Sequence, residues 1–125
     1  MTRILLVEDN ELNRSLVRAI ISRTAEPRLQ GTDLAEAQTV EQARAALAGP
    51  DTFDVILLDV HLPDGTGLDI ARDLADQPDR PAVIALTAAA MAREQSAAMD
   101  AGCDTFLAKP YTSADLIQVI VDVLK

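Results

Sequence analysis

The chain has 125 residues, a mass of 13.4 kDa and a formal charge of −9 from 20 acidic and 11 basic residues, which is about one domain with a core large enough to stand without disulfides or metal staples. With 49% hydrophobic and 25% charged residues it falls outside the collagen-like, disordered and disulfide-scaffold classes. Its acidity argues against recruitment to nucleic acid or anionic lipid, and no Trp, one Tyr and two Phe leave no stacking platform for single strands.

In chain order, a first apolar run over residues 4–7 predicts a buried strand. Asn10 is placed to cap a helix reaching about Arg23. In that helix Leu12, Leu16 and Ile20, at i, i+4 and i+8, form the stripe expected to face the core, with Arg14, Arg18 and Ser22 on another face. Residues 32–37, where Leu34 and Ala35 stand among charges, predict a weaker edge strand. Thr39 can cap a second helix that ends at Gly49 and Pro50. Residues 55–58 and 82–86 predict two further buried strands, separated by a helix over 68–76. An alanine-rich helix over 91–101 stops at Gly102, and residues 106–108 predict a fifth strand. Thr112 and Asp115 then make a capping box, with Asp in place of Glu, that opens a last helix to about Leu124. Strand alternating with helix five times implies a doubly wound α/β fold around a parallel sheet, because parallel neighbours need crossovers and fully apolar strands are buried on both faces. A single domain over residues 1–125, with no attached effector, is expected.

Ligands of open parallel sheets bind beyond the carboxyl ends of the strands. The residues found there are Glu8 and Asp9 after the first run, Asp59 after the third, Thr87 after the fourth and Lys109 after the fifth. Any one of them has an ordinary explanation, as a helix cap or a solvated loop residue. Together, at the ends of four strands, they point to a site. Carboxylates a few Å apart repel by roughly 4 kcal/mol per close pair at an effective dielectric near 20, so a proton or a cation must relieve them. An oxygen-only donor set suits a hard ion that keeps water and phosphate oxygens, which is magnesium. A Mg²⁺, the Lys109 ammonium and the Thr87 hydroxyl would together stabilise phosphoryl transfer, with Asp59 as the nucleophile. Nine of the eleven basic residues are Arg, so a Lys at this strand end is itself informative: its compact charge suits a phosphoryl oxygen.

With these residues in view, the sequence resembles the response regulator receiver domains of two-component signalling, in their stand-alone, chemotaxis-regulator-like form. The resemblance is carried by Ile4 through Asn10 (ILLVEDN), Val55 through Pro63 (VILLDVHLP) with Gly67 following, Leu86-Thr87-Ala88, and Phe106 through Pro110 (FLAKP). It implies a flavodoxin-like (βα)5 fold with strand order 2-1-3-4-5. It further implies Asp59 as phosphoacceptor and Asp9, Asp59, the backbone carbonyl of His61 and, mostly through water, Glu8 as metal ligands. Thr87 and Lys109 would be phosphoryl contacts, Thr87 and Phe106 the switch pair, and the Lys109–Pro110 bond cis. Phe106 lacks the hydroxyl that Tyr supplies in many relatives, so a switch here rests on ring packing. The positions that tune hydrolysis of the phosphoryl group in the family are His61 and Ala89. His61 is expected in an exposed loop with only its carbonyl engaged. Asp64 through Gly67 is a turn, too poor in glycine for a dinucleotide loop.

The last helix is polar only at Gln118 and Asp122 between Leu116 and Leu124, so an exposed patch of Ile117 and Val121, with Phe106 and Tyr111, is expected to contact an output partner or a second copy in a weak homodimer. Tight packing of that helix would leave a monomer. Leu12, Arg14 and Arg18 resemble the family's docking surface for a histidine kinase or histidine phosphotransfer donor. Cys103 alone makes neither a disulfide nor, with one His, a zinc site, and reads as an inert small residue. The N-terminal apolar stretch is too short for a signal peptide and nothing approaches a membrane span, so a cytoplasmic setting is expected.

The expected function is a phosphorelay receiver that modifies only itself, whether as output regulator, shuttle or phosphate sink. An aspartyl-phosphate phosphatase of the haloacid dehalogenase type would carry a second Asp where His61 stands. A flavin module of the same topology would not place Glu8 and Asp9 against a phosphate.

Overall fold

Five strands alternate with five helices in the computed structural model, which describes residues 2–88 and 92–124. They are β1 (Arg3–Val7), α1 (Glu11–Arg23), β2 (Asp33–Ala37), α2 (Val40–Ala48), β3 (Val55–Asp59), α3 (Leu68–Leu74), β4 (Ala82–Ala88), α4 (Ala92–Asp100), β5 (Thr105–Lys109) and α5 (Ser113–Leu124). The strands pair in parallel in the order β2-β1-β3-β4-β5, so the doubly wound, flavodoxin-like expectation holds. The expected start of the fourth helix at Met91 lies outside the described residues. No helix among the described residues is long and apolar enough to cross a membrane.

Each interior strand buries both faces. Leu5, Val7, Ile56, Leu58, Val83 and Ala85 pack beneath α2, α3 and α4. Their neighbours Ile4, Leu6, Val55, Leu57, Ile84 and Leu86 pack against α1 and α5. The period of two in strand side chains divides one apolar run between two layers. Cys103 is buried in the first layer, where burial pushes its thiol up to about 11 and keeps it inert.

The helix starts follow the capping chemistry of the sequence. Asn10 accepts the Asn13 amide at 2.9 Å. Thr112 and Asp115 exchange side-chain and backbone bonds at 3.0 and 3.1 Å, a capping box. On α2 Thr39 accepts the Gln42 amide at 3.0 Å, and Asp64, from the loop after β3, accepts the Val40 and Glu41 amides at 2.8 and 3.1 Å. The first three amides of that helix are thereby satisfied.

Two expectations change. The core-facing side of α1 is formed by Arg14, Val17 and Ile21, while Leu12 is 77% and Leu16 50% exposed and Ile20 is half-buried. At 100° per residue, the apolar positions from Leu12 to Ile21 span an arc of about 180°, and the sheet takes only one half of it. Arg14, about 20° beyond Ile21 on the helical wheel, borders that half and is buried with it. The turn expected at Asp64 through Gly67 belongs to a small antiparallel hairpin, in which His61–Leu62 pairs with Gly65–Thr66.

Gly67 closes this loop, donating its amide to the Val60 carbonyl at 2.8 Å. A Cβ there would come within 2.0 Å of the Asp59 carbonyl oxygen. Gly67→Ala is therefore expected to lower stability by about 1–3 kcal/mol through forced backbone displacement, measured by thermal denaturation. Asp64→Ala is expected to lower the melting temperature at pH 7 by several degrees. The Val40 amide bond, with that of Glu41, holds the Asp64 carboxyl below its ordinary value of 3.8. Its contribution is thus complete above that value and disappears as pH falls through the depressed one; the melting difference from wild type should narrow in the same direction.

Candidate functional site at the carboxyl rim of the sheet

Parallel strands end together, and the register decides which ends meet. Val7 pairs with Leu58, Asp59 with Leu86 and Ala88 with Lys109, so Glu8, Asp59, Thr87 and Lys109 gather at the carboxyl edge of the four central and outer strands β1, β3, β4 and β5. Carboxylate oxygens of Glu8, Asp9 and Asp59 lie within 4.8 Å of one another. Glu8 is 1% and Asp59 7% exposed, whereas Asp9 faces solvent. Lys109 Nζ stands 3.0 Å from Glu8 Oε1 and 3.3 Å from Asp59 Oδ2. The Asp59 carboxylate also accepts the His61 amide at 3.3 Å. Thr87 Oγ1 is buried and has no hydrogen-bond partner among the described residues, which in a packed interior leaves a donor available for a ligand oxygen.

The charges are unequally placed. Burial, followed by the hydrogen bond to Glu8, pushes Asp59 up to about 7 against the pull of Lys109. Burial also acts to raise Glu8, but its hydrogen bonds with Asp59 and Lys109 and the Lys109 charge outweigh it and leave that carboxyl below the ordinary range. Desolvation opposes the Lys109 charge, yet Asp59 and Glu8 hold its ammonium above the ordinary value. One ammonium is thus shared between two buried carboxyls, and the pair retains a proton into the neutral range.

His61 is exposed as expected, but in the hairpin rather than an open loop, and its side chain is engaged: Nε2 lies 3.0 Å from Glu94 Oε2 on α4. Ala89 lies outside the described residues. The Lys109–Pro110 bond is cis. Phe106 and Tyr111 do not form one face with the last helix: Phe106 packs on the α2–α3–α4 side, and Tyr111, Ile117 and Val121 pack on the α1–α5 side. An odd register along β5 and the turn after it send these two rings to opposite layers. Ile117 and Val121 are half-buried against the core rather than an open patch. Exposed apolar surface lies instead on α1, where Leu16 and Ile20 line a groove with Ser113, Ala114 and Ile117 of α5, and at Met99 of α4. Arg14, expected on the surface, is 7% exposed. Arg18 is exposed and grips Glu36 through two bonds at 2.9 and 2.8 Å.

The sequence pattern missed Glu94 and placed Arg14 on the wrong side of its helix. Glu94 sits in a helix whose charges look like a solvated face, and only the fold brings it to His61. Arg14 carries a usable signal: it shares the i, i+3, i+7 stripe of Val17 and Ile21.

A family model of the response regulator receiver domain matches residues 4–121. The chain is 31% identical over 119 residues to the polar-differentiation response regulator DivK of Brucella anthropi, covering 94% of this chain and 91% of that protein. It is 35% identical over 120 residues to the aerobic respiration control sensor protein ArcB of Escherichia coli, covering 94% of this chain but only 14% of that protein. Among solved structures, the receiver domain of sensor histidine kinase PA1611 from Pseudomonas aeruginosa, which has a magnesium ion coordinated in its active-site cleft, is 30% identical with a TM-score of 0.81, over 98% of this chain and 97% of that one. A response regulator from Chloroflexus aurantiacus superposes with a TM-score of 0.86 over 98% of this chain and 97% of that one, at 22% identity, which supports the fold. A family match along almost the whole chain, on a fold that brings Glu8, Asp59, Thr87 and Lys109 to one rim, places this protein among the response regulator receiver domains of two-component systems.

Proposed function

We propose that this chain takes a phosphoryl group from a phosphohistidine, on a histidine kinase or a histidine phosphotransfer protein, onto Asp59 in a magnesium-dependent reaction. The observation that carries the proposal is the position of Lys109 Nζ between Glu8 and Asp59, which supports reading Asp59 as the acceptor beside carboxylates able to hold a cation. The donor set fits magnesium: three carboxylates, no thiolate or imidazole, and an exposed Asp9 that leaves room for water. Glu8, Asp9, Asp59 and the His61 carbonyl would hold the ion. When bound, it offsets the carboxylate charges and the negative charge of the phosphoryl oxygens.

An Asp59 carboxylate oxygen forms the new P–O bond as the P–N bond of the donor breaks. The electron pair of that bond stays on the imidazole nitrogen, which takes up a proton. Lys109 turns from Asp59 toward a phosphoryl oxygen, and the unpartnered Thr87 hydroxyl donates to another. Loss of the group is the reverse balance with water: the water oxygen bonds to phosphorus and the Asp59 carboxylate is released. Apart from this self-modification the chain catalyses nothing. Movement of Thr87 toward the phosphoryl group would open space behind it, and Phe106, half-buried in the adjacent layer, would change its packing and alter a protein-binding surface. The donor's helix would dock along exposed Leu12 and Leu16, with Arg18 and Tyr111 at the margins.

Incubation with acetyl phosphate or phosphoramidate should add one phosphoryl group by intact mass, only with Mg²⁺, and Asp59→Asn should not gain it. A gain that survives this substitution refutes the assignment. The metal-free protein gives a second prediction. Because the folded carboxyl of Asp59 titrates near 7 and the ordinary one at 3.8, folding takes up a proton between these values, and stability from this group rises as pH falls. Asp59→Asn should therefore stabilise the metal-free protein at pH 8 by roughly 2 kcal/mol, after discounting for water at the rim. That gain should shrink toward pH 4, as followed by thermal melts in chelator.

A further inference from the structure

One charged side chain interrupts the core-facing side of α1. Val17 and Ile21 point inward, and one turn earlier Arg14 does so too, 7% exposed. A guanidinium at such a place is strongly disfavoured unless its donors find acceptors, and here they do. Nη1 donates to the backbone carbonyl of Glu8 at 3.1 Å, Nη2 pairs with the Glu11 carboxylate, and Nε lies 3.5 Å from Glu36 Oε1. Glu36 is already gripped by Arg18 from outside, so the two carboxylates do not by themselves account for a charge placed this deep. The neutral acceptor does not balance charge at all; what the bond to it determines is geometry.

The Glu8 carbonyl belongs to the peptide that joins Glu8 to Asp9. Its residue is already held on the other side, because the Glu8 amide donates to the Ala37 carbonyl at 2.9 Å. With Arg14 on the carbonyl, both polar groups of Glu8 are held, and the direction in which the Asp9 stem leaves β1 is set. Asp9 needs this support. Among the described residues no side-chain hydrogen bond or ion pair holds its carboxylate, which is exposed, yet one of its oxygens lies within 4.8 Å of those of Glu8 and Asp59.

We propose that Arg14 is a positioning residue for the acidic pair Glu8 and Asp9, acting through the Glu8 carbonyl to keep their carboxylates where a divalent cation is bound. The inference rests on the magnesium-dependent reading above and adds a residue to it. It also makes a prediction opposite in sign to plain electrostatics. Removing a positive charge near a cation site should tighten cation binding by Coulomb's law, whereas losing a positioning bond should weaken it.

Calorimetric titration of Mg²⁺ into wild type and Arg14→Met decides between them, with circular dichroism and melting recorded on the same samples. The expected result is a folded variant that binds Mg²⁺ about 5- to 20-fold more weakly. A folded variant with unchanged or tighter binding overturns the proposal, whatever its melting temperature, since a packing role moves the melt and not the affinity. Should Arg14→Met fail to fold, Arg14→Lys serves. It keeps the charge but not the planar fork, so weaker binding supports the positioning role and unchanged binding refutes it. Wild-type protein that takes up no Mg²⁺ at millimolar concentration removes the magnesium-dependent reading itself, and this inference with it. That outcome is recognised from the wild-type trace alone.

Discussion

Two buried carboxyls around one ammonium is the arrangement on which the rest of the structure depends. Glu8 follows the last residue of β1 and Asp59 ends the adjacent β3, and desolvation disfavours both as anions. Apolar residues at these two positions would give a more stable sheet edge. The pair persists because Lys109 arrives from β5, across β4, at 3.0 and 3.3 Å. That single cation balances one carboxylate and leaves the second in deficit, which is why a proton lingers at Asp59. A site short of one positive charge is a site that welcomes one, and a dication or a proton are the two species that supply it. The strained electrostatics of the rim are what the proposed cation would relieve.

The loop after β3 distributes this site through the molecule. Within nine residues of chain it supplies Asp59, the His61 ring that meets Glu94 of α4, the Asp64 carboxylate that caps α2, and Gly67, which lies against the Asp59 carbonyl and leads into α3. A displacement at Asp59 therefore has three helices within reach, all on one side of the sheet. The opposite layer, α1 and α5, meets the site differently, through the Arg14 contact to Glu8 and through Tyr111.

The fold was legible because its signals are local. Apolar runs of three to five residues between capped helices leave few alternatives to a parallel sheet, and Asn10, Thr39 and Thr112 mark helix starts by chemistry that acts within three residues. The rim was legible for a related reason: in a parallel sheet, chemistry-bearing residues after successive apolar runs must converge. What failed were choices that only three dimensions make. Leu12, Leu16 and Ile20 form as regular a stripe as Val17 and Ile21 with Arg14, and periodicity cannot say which half of a wide apolar arc meets the sheet. A buried Arg defeats the rule that charge marks the surface, since its bonds to Glu8, Glu11 and Glu36 span the end of β1, its own helix and β2. The two rings near β5 looked like one patch in sequence, yet Phe106 lies in the strand and Tyr111 beyond the turn that follows it, and they pack in opposite layers.

The placement of the lone phenol has an optical consequence. In a chain without tryptophan, Tyr111 is the only tyrosine, two residues beyond Lys109 and half-buried, with its hydroxyl raised by burial first and then by the charges of Glu8 and Asp59. Its ultraviolet absorption and emission therefore come from one ring within the electric field of the rim. The sequence has left the protein with a single phenol chromophore, next to the place where its charge would change.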